Sequence, residues 1–142
     1  MLGHDLEILA FPRLHITLIC MNNSGYRVNG GIGFAIEAPS IKAKVCKAAN
    51  FSFKENRLNA FSAFEYDRLK HVIDNTYTTK YFEHNISVSI DGELYTHSGL
   101  GSGTIIRLMS LEAIHVLNKA TFDEHALIQL SGSGGPSGIG IR

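Results

Sequence analysis

The hydrophobic period of this sequence changes near residue 56, and that change restricts its fold more than any other feature. Upstream, apolar residues recur at every second position, the signature of strands with one covered face. Leu6 to Ala10 reads as extended, and so does Leu14 to Met21, where Leu14, Ile16, Leu18 and Cys20 share a face. Pro12 separates these stretches, as a bulge or an edge would. Asn22-Asn23-Ser24-Gly25 is a turn by composition, since Asn and Gly tolerate positive φ. Gly30, Gly31 and Gly33 open a strand over Ile32 to Ala38, which Pro39 and Ser40 break. Ile41, Ala43 and Val45 then alternate with Lys42, Lys44 and Cys46, a strand with one wet face.

Downstream the spacing lengthens to three to five. Leu58, Phe61, Phe64, Leu69, Val72 and Ile73 predict a helix from about Asn56 to Asn75. Period two returns briefly at Ile86, Val88 and Ile90, and Asp91-Gly92 closes that strand with a turn signal. A helix is expected from about Thr104 to Asn118, with Ile105, Leu108, Met109, Ala113, Val116 and Leu117 as its apolar side. Thr121-Phe122-Asp123-Glu124 fits a capping box that starts a short helix ending near Leu130. Strands first and helices later point to an α+β, two-layer domain rather than a parallel doubly wound sheet.

Composition excludes several functions. The chain has 142 residues, one ordinary domain in length, and 44% are apolar, enough for a core. With 13 basic and 13 acidic residues the formal charge is zero, so no general nucleic-acid footprint is expected. Lys42, Lys44 and Lys47 make the nearest basic run and read as the solvent face of a strand. Cys20 and Cys46 lie in apolar strand-like segments without a Cys-x-x-Cys partner, which suits buried thiols in a reducing cytoplasm. No apolar run of about 18 residues predicts a membrane span, and no secretion signal is expected at the N-terminus. His4, His71, His84, His115 and His125 lack metal-ligand spacing, and most read as surface residues.

The chemistry-bearing segments are rich in glycine. Gly99-Leu100-Gly101-Ser102-Gly103-Thr104 runs straight into a helix. Glycines let a loop turn its amides inward, because no Cβ blocks the approach. A helix N-terminus adds about half a positive charge and several unpaired N–H donors. Together they suit a phosphate or pyrophosphate. Ser102 and Thr104 add hydroxyls that donate to the anion or reach a magnesium ion carried by it. The same glycines also suit a turn that only starts a helix. No Gly-Lys-Ser/Thr follows, so this is not a Walker loop, and the dinucleotide pattern is absent as well. Arg13 and Arg27 are candidate phosphate or carboxylate ligands, since guanidinium offers a planar fork of donors. His15 lies in an apolar strand, where a lone histidine is more often a core residue than a catalyst. A second glycine-rich stretch, from Gly132 to Gly140, contains no acid; it suits an anion wrap or a flexible connection.

In combination these segments resemble the GHMP kinase superfamily, in which a Gly-Leu-Gly-Ser-Ser-type loop wraps the ATP phosphates. Within it the motifs look most like those of the β-ribofuranosylaminobenzene 5′-phosphate synthase family. The resemblance rests on Pro12-Arg13-Leu14-His15 through Gly30-Gly31-Ile32-Gly33, on His97 with Gly99 to Thr104, and on Gly134 with Ser137-Gly138-Ile139-Gly140. It implies a GHMP-type N-terminal domain over residues 1–142, with the sheet first and helices packed on one face. The second, ferredoxin-like domain of the family is expected to be absent, whether through truncation or in a shortened relative. It implies phosphoribosyl transfer from phosphoribosyl pyrophosphate to 4-amino- or 4-hydroxybenzoate, with loss of pyrophosphate and carbon dioxide, in pterin-type cofactor biosynthesis. Gly99 to Thr104 would hold the phosphates with magnesium, and Gly134, Ser137, Gly138 and Gly140 would form a secondary loop. Arg13, Arg27, His15 and His97 would line the pocket. The implied partners are small phosphorylated molecules, with a homodimer left open.

Many superfamily kinases place an Asp base shortly after a Ser-Gly pair. Here Ser137-Gly138 is followed by Ile139-Gly140-Ile141, which argues modestly for the synthase over an ATP-dependent small-molecule kinase. The chain departs from the pattern at Tyr95, where Pro is common, at Ile105, where Gln is common, and at Ser133, where the family usually has Arg. The last change removes an anion contact and keeps a non-catalytic relative among the alternatives.

Overall fold

Alternation in the first half of the chain becomes sheet, and the longer spacing becomes helix. The computed structural model describes residues 5–11, 13–19, 30–38, 40–57, 61–93 and 102–131; for residues 13–19, 30–33, 35 and 102 it describes the backbone. The elements run β1 (Leu6–Ala10), β2 (Arg13–Ile19), β3 (Gly30–Ala35), β4 (Ile41–Ala48), β5 (Ser52–Glu55), α1 (Ala63–Thr79), β6 (Asn85–Gly92), α2 (Ser102–Leu117) and α3 (Glu124–Leu130). A mixed four-stranded sheet has the order β1-β4-β6-β5, and β2 pairs with β3 in a second, two-stranded sheet. β1 and β6 flank β4 antiparallel, whereas β5 pairs with β6 in parallel and α1 makes the crossover between them.

One face of the larger sheet is apolar and covered. Ile41, Ala43 and Val45 of β4 and Ile86, Val88 and Ile90 of β6 are buried, together with Leu69 and Ile73 of α1 and Ile106, Leu111 and Ile114 of α2. Each Val, Leu or Ile side chain among them contributes about 1.5–3 kcal/mol through removal of apolar surface from water. The other face is polar. Lys42 pairs with Glu7 at 3.2 Å, Ser52 donates to Ser87 at 2.7 Å, and Asn56 donates to Ser89 at 3.1 Å. The α+β architecture with helices on one face agrees with the sequence.

Several boundaries differ from expectation, each for a local reason. β5 has no counterpart in the sequence reading, although Phe51, Phe53 and Glu55 alternate across it. It occupies the stretch before Asn56, and the first long helix starts at Ala63 instead. Ser62 supplies the N-cap, its hydroxyl accepting from the Glu65 amide at 3.3 Å. Phe61 therefore precedes the helix, stacking on Phe53 at 5.5 Å, and Phe64 is 71% exposed. α2 begins at Ser102, two residues before the expected start, and Val116 faces solvent. Its covered surface is broad because α2 packs on the sheet, on α1 and on α3 at once. α3 is capped by Asp123 rather than Thr121, since the Asp123 carboxylate accepts from the Ala126 amide at 3.2 Å. β3 ends at Ala35. The register of β2 on β3 shifts between His15 and Thr17, so a bulge interrupts the even alternation from Leu14 to Cys20. His115 is buried, against the surface reading: its Nδ1 lies 2.7 Å from the Leu111 carbonyl, and its ring meets Phe82 and Phe122 edge-on. Cys46 is a half-buried thiol on β4, and Cys20 lies outside the described residues.

Asp91-Gly92 ends β6 as the turn signal predicts, and Gly92 has φ +132°. A Cβ there would come 2.3 Å from the Ser40 carbonyl oxygen. Gly92→Ala should therefore destabilise the chain by about 2 kcal/mol, from backbone strain and a displaced β4 entry. Urea unfolding checks it; a midpoint equal to wild type would show that the β4–β6 end adapts freely.

Candidate functional site: the helix α2 N-terminus

Strand register brings the end of β1, the start of β4 and the end of β6 together at one end of the sheet. Ala10 pairs with Ile41, Ile41 with Gly92, and Glu55 with Ile90 beside it. From this end the chain leaves β1 toward Arg13, and leaves β6 toward the glycine-rich segment that runs into α2. The same edge is tied by Asn56, whose amide donates to the Ile90 carbonyl at 2.9 Å and whose side chain donates to Asp91 at 2.9 Å. Glu55 and Arg57 close it with a buried bidentate pair at 2.6 and 2.7 Å, and the Arg57 guanidinium lies over the Phe61 ring. α1 begins just beyond.

Three helix ends then converge on one side chain. Arg107 lies just past the first turn of α2 and is 5% exposed. Its Nη1 donates to Glu65 Oε2 of α1 at 3.1 Å, and its Nε donates to the carbonyl of Ser131, the C-cap of α3, at 3.0 Å. Its Nη2 lies 3.5 Å from Thr104 Oγ1, a long contact. Burial, and secondarily the Arg68 cation, pull the Arg107 guanidinium below its usual pKa, while Glu65 opposes them; guanidinium remains a cation across the accessible range. Gly103 packs against this cluster: a Cβ there would sit 3.3 Å from Glu65 Oε2, a tight contact, and 3.5 Å from Arg107 Nη1. Sequence reading passed over Arg107 and Glu65. The available signals were a cation within the apolar stripe of α2 and the Ser62-x-x-Glu65 capping pattern.

Of the residues singled out from sequence, Ser102, Gly103 and Thr104 form the first turn of α2. Arg13 and His15 lie on β2, opposite Ala35 and Gly33 of β3. Arg27, His97, Gly99, Leu100, Gly101, Gly134, Ser137, Gly138 and Gly140 lie outside the described residues. Ser131, where the second glycine-rich stretch begins, is buried against α2 through Arg107.

The donor set also bears on magnesium, which takes several hard oxygens in near-octahedral array. Among the described residues no group of three His, Cys, Asp or Glu could hold a metal ion. Glu65, near the start of α1, is engaged by Arg107 at 3.1 Å. Also among the described residues, no helix is long and apolar enough to cross a membrane.

No protein-family model matches the chain. It is similar to curated proteins named β-ribofuranosylphenol 5′-phosphate synthase. The protein from Archaeoglobus fulgidus is 33% identical over 136 residues, covering 96% of this chain and 41% of that protein. The protein from Methanocaldococcus jannaschii is 33% identical over 135 residues, covering 91% and 41%. The chain thus spans about two fifths of the length of the curated relatives it matches. Among solved structures, a 4-(cytidine 5′-diphospho)-2C-methyl-D-erythritol kinase superposes with a TM-score of 0.68 at 16% identity, over 92% of this chain and 47% of that one. The Methanococcus jannaschii mevalonate kinase gives 0.67 at 14% identity, over 91% and 45%. At such identities the structures show the fold alone.

Proposed function

We propose, for a chain related to the β-ribofuranosylphenol 5′-phosphate synthases and carrying the fold of GHMP kinase N-terminal domains, that it is the phosphate-cradling half of a synthase of that kind. The donor is phosphoribosyl pyrophosphate, and its pyrophosphate sits at the α2 N-terminus. The relatives' name specifies a phenol product, which favours 4-hydroxybenzoate over 4-aminobenzoate as acceptor. The ring carbon that bears the carboxylate attacks C1 of the ribose, and the C1–oxygen bond to pyrophosphate breaks. Loss of carbon dioxide then returns the electron pair to the ring. No alcohol needs deprotonation, in keeping with Ile139-Gly140-Ile141 where many kinases of the superfamily carry an acid.

The leaving group is a polyanion, so the chemistry calls for fixed donors and cations where negative charge grows. The observation that carries the reading is that α2 begins at Ser102, directly after Gly99-Leu100-Gly101, with the Arg107 cation behind it. Unpaired amides of the first turn supply donors, and the helix dipole supplies a partial positive charge. Magnesium, when bound with the pyrophosphate, would neutralise part of the leaving charge, with the Ser102 or Thr104 hydroxyl as a candidate ligand. Arg13 and Arg27 are assigned to the 5′-phosphate or the benzoate carboxylate, and His15 and His97 to the pocket wall. Such substrates place the reaction in the cytoplasm, and closing the site falls to a second domain.

Calorimetric titration of the chain tests this. Magnesium phosphoribosyl pyrophosphate and magnesium pyrophosphate should bind at least tenfold more tightly than magnesium ATP. Tighter ATP binding would overturn the synthase reading in favour of a kinase, and a chain that binds none of these would remove the phosphate cradle itself. The complete enzyme should release carbon dioxide from carboxyl-labelled 4-hydroxybenzoate only when phosphoribosyl pyrophosphate is present.

A further inference from the structure

The phosphate cradle proposed above uses Arg107 as a cation and leaves its hydrogen bonds to Glu65 and Ser131 without a stated role. We propose that Arg107 is a positioning residue that holds the first turn of α2 and the C-cap of α3 in fixed relation, so that anion affinity depends on its guanidinium. The inference rests on that reading of the α2 N-terminus. One planar group reaches three elements. Nη1 holds Glu65 at the start of α1, Nε holds the carbonyl at the end of α3, and Nη2 lies beside Thr104 in the first turn of α2. The first glycine-rich segment enters α2 at Ser102, and the second leaves α3 at Ser131. The anchors of both segments are therefore set by a single side chain.

Two physical arguments separate this from plain packing. A cation near the first turn of a helix opposes the macrodipole, whose positive end lies there. Glu65 offsets that repulsion, yet an apolar residue packed against Ile106 and Met109 would avoid it altogether. An anion at the α2 N-terminus gains from the dipole, while Glu65 cancels most of the guanidinium's field there, so what the guanidinium adds is the geometry it fixes. The second argument is geometric. Guanidinium has five N–H donors in a rigid fork, whereas an ammonium is a single point on a flexible stem. Lysine at this position can meet Glu65 or Ser131, with no second arm to tie them together.

The test measures magnesium pyrophosphate affinity and the urea midpoint of three proteins: wild type, Arg107→Lys and Leu117→Ala. Leu117 is a buried residue ten positions further along α2, about 15 Å away at the helical rise. Leu117→Ala supplies a destabilised chain with the cluster intact. Arg107→Lys should weaken pyrophosphate binding at least tenfold while unfolding no earlier than Leu117→Ala, which should keep its affinity within twofold. Wild-type affinity in Arg107→Lys would sink the positioning role and leave the cradle standing. Equal losses in Arg107→Lys and Leu117→Ala would show that affinity follows stability, which also overturns it. A wild-type chain that binds no pyrophosphate removes the cradle and the positioning role together.

Discussion

Glu65→Leu should lower the unfolding free energy by about 3 kcal/mol, the order of loss found when one partner of a buried ion pair is removed. The side chains of Arg107 and Glu65 are 6% and 12% exposed, so solvent screens the pair little. Without the carboxylate, Arg107 keeps its charge, keeps its bond to the Ser131 carbonyl, and among the described residues has only the long Thr104 contact in addition. Adding Arg107→Leu to Glu65→Leu should restore roughly half of the loss, because the orphaned cation is then gone and an apolar side chain continues the stripe of Ile106 and Leu111. The recovery stays partial because the Ser131 carbonyl loses its donor from α2. Urea unfolding of the single and double variants measures the coupling. Losses that simply add, within about 0.5 kcal/mol, would mean that the two groups do not interact across the α1–α2 boundary.

The β4 strand was legible in the sequence because Ile41, Ala43 and Val45 alternate with lysines, and one-sided burial produces that alternation directly. β5 was not legible: it has four residues, pairs with β6 in parallel, and presents only Phe53 and Glu55 toward the covered side. Short parallel strands depend on a crossover partner, and here the partner follows a whole helix later. The start of α1 was misplaced because Phe61 has helical spacing to Phe64 but packs on Phe53 ahead of the Ser62 cap. The bulge in β2 could not be read from Leu14, Ile16 and Leu18, since register is a property of the strand pair.

The candidate site divides in the same way. The glycine-rich run into a helix announced itself, because glycines and a helix start are local features. Glu65 and Arg107 are 42 residues apart, and Ser131 lies 24 beyond Arg107. Their meeting is a tertiary event, visible in sequence only as a charge placed where an apolar residue would otherwise stand. The α+β order of elements and the GHMP-type motifs led to the correct fold because they are carried by contiguous segments. The cluster that ties those segments together is carried by side chains from three helices.

Gly101→Val should weaken magnesium pyrophosphate binding at least a hundredfold, about 2.7 kcal/mol, while moving the urea midpoint little. Gly101 directly precedes Ser102, the first residue of α2, so an anion drawn to the free amides of that turn passes close to its backbone. A β-branched side chain there occupies the approach and also restricts the loop conformations open to glycine. Gly103 supplies the contrast. Its Cβ position is already 3.3 Å from Glu65 Oε2, so Gly103→Val should displace the Glu65–Arg107 pair and lose stability and affinity together. If Gly101→Val instead unfolds the chain as readily as Gly103→Val does, residue 101 serves the packing of the loop, and the anion must be held elsewhere. If Gly101→Val binds pyrophosphate like wild type, no phosphate approaches the helix start, and the kinship with phosphate-handling enzymes does not extend to this chain's chemistry.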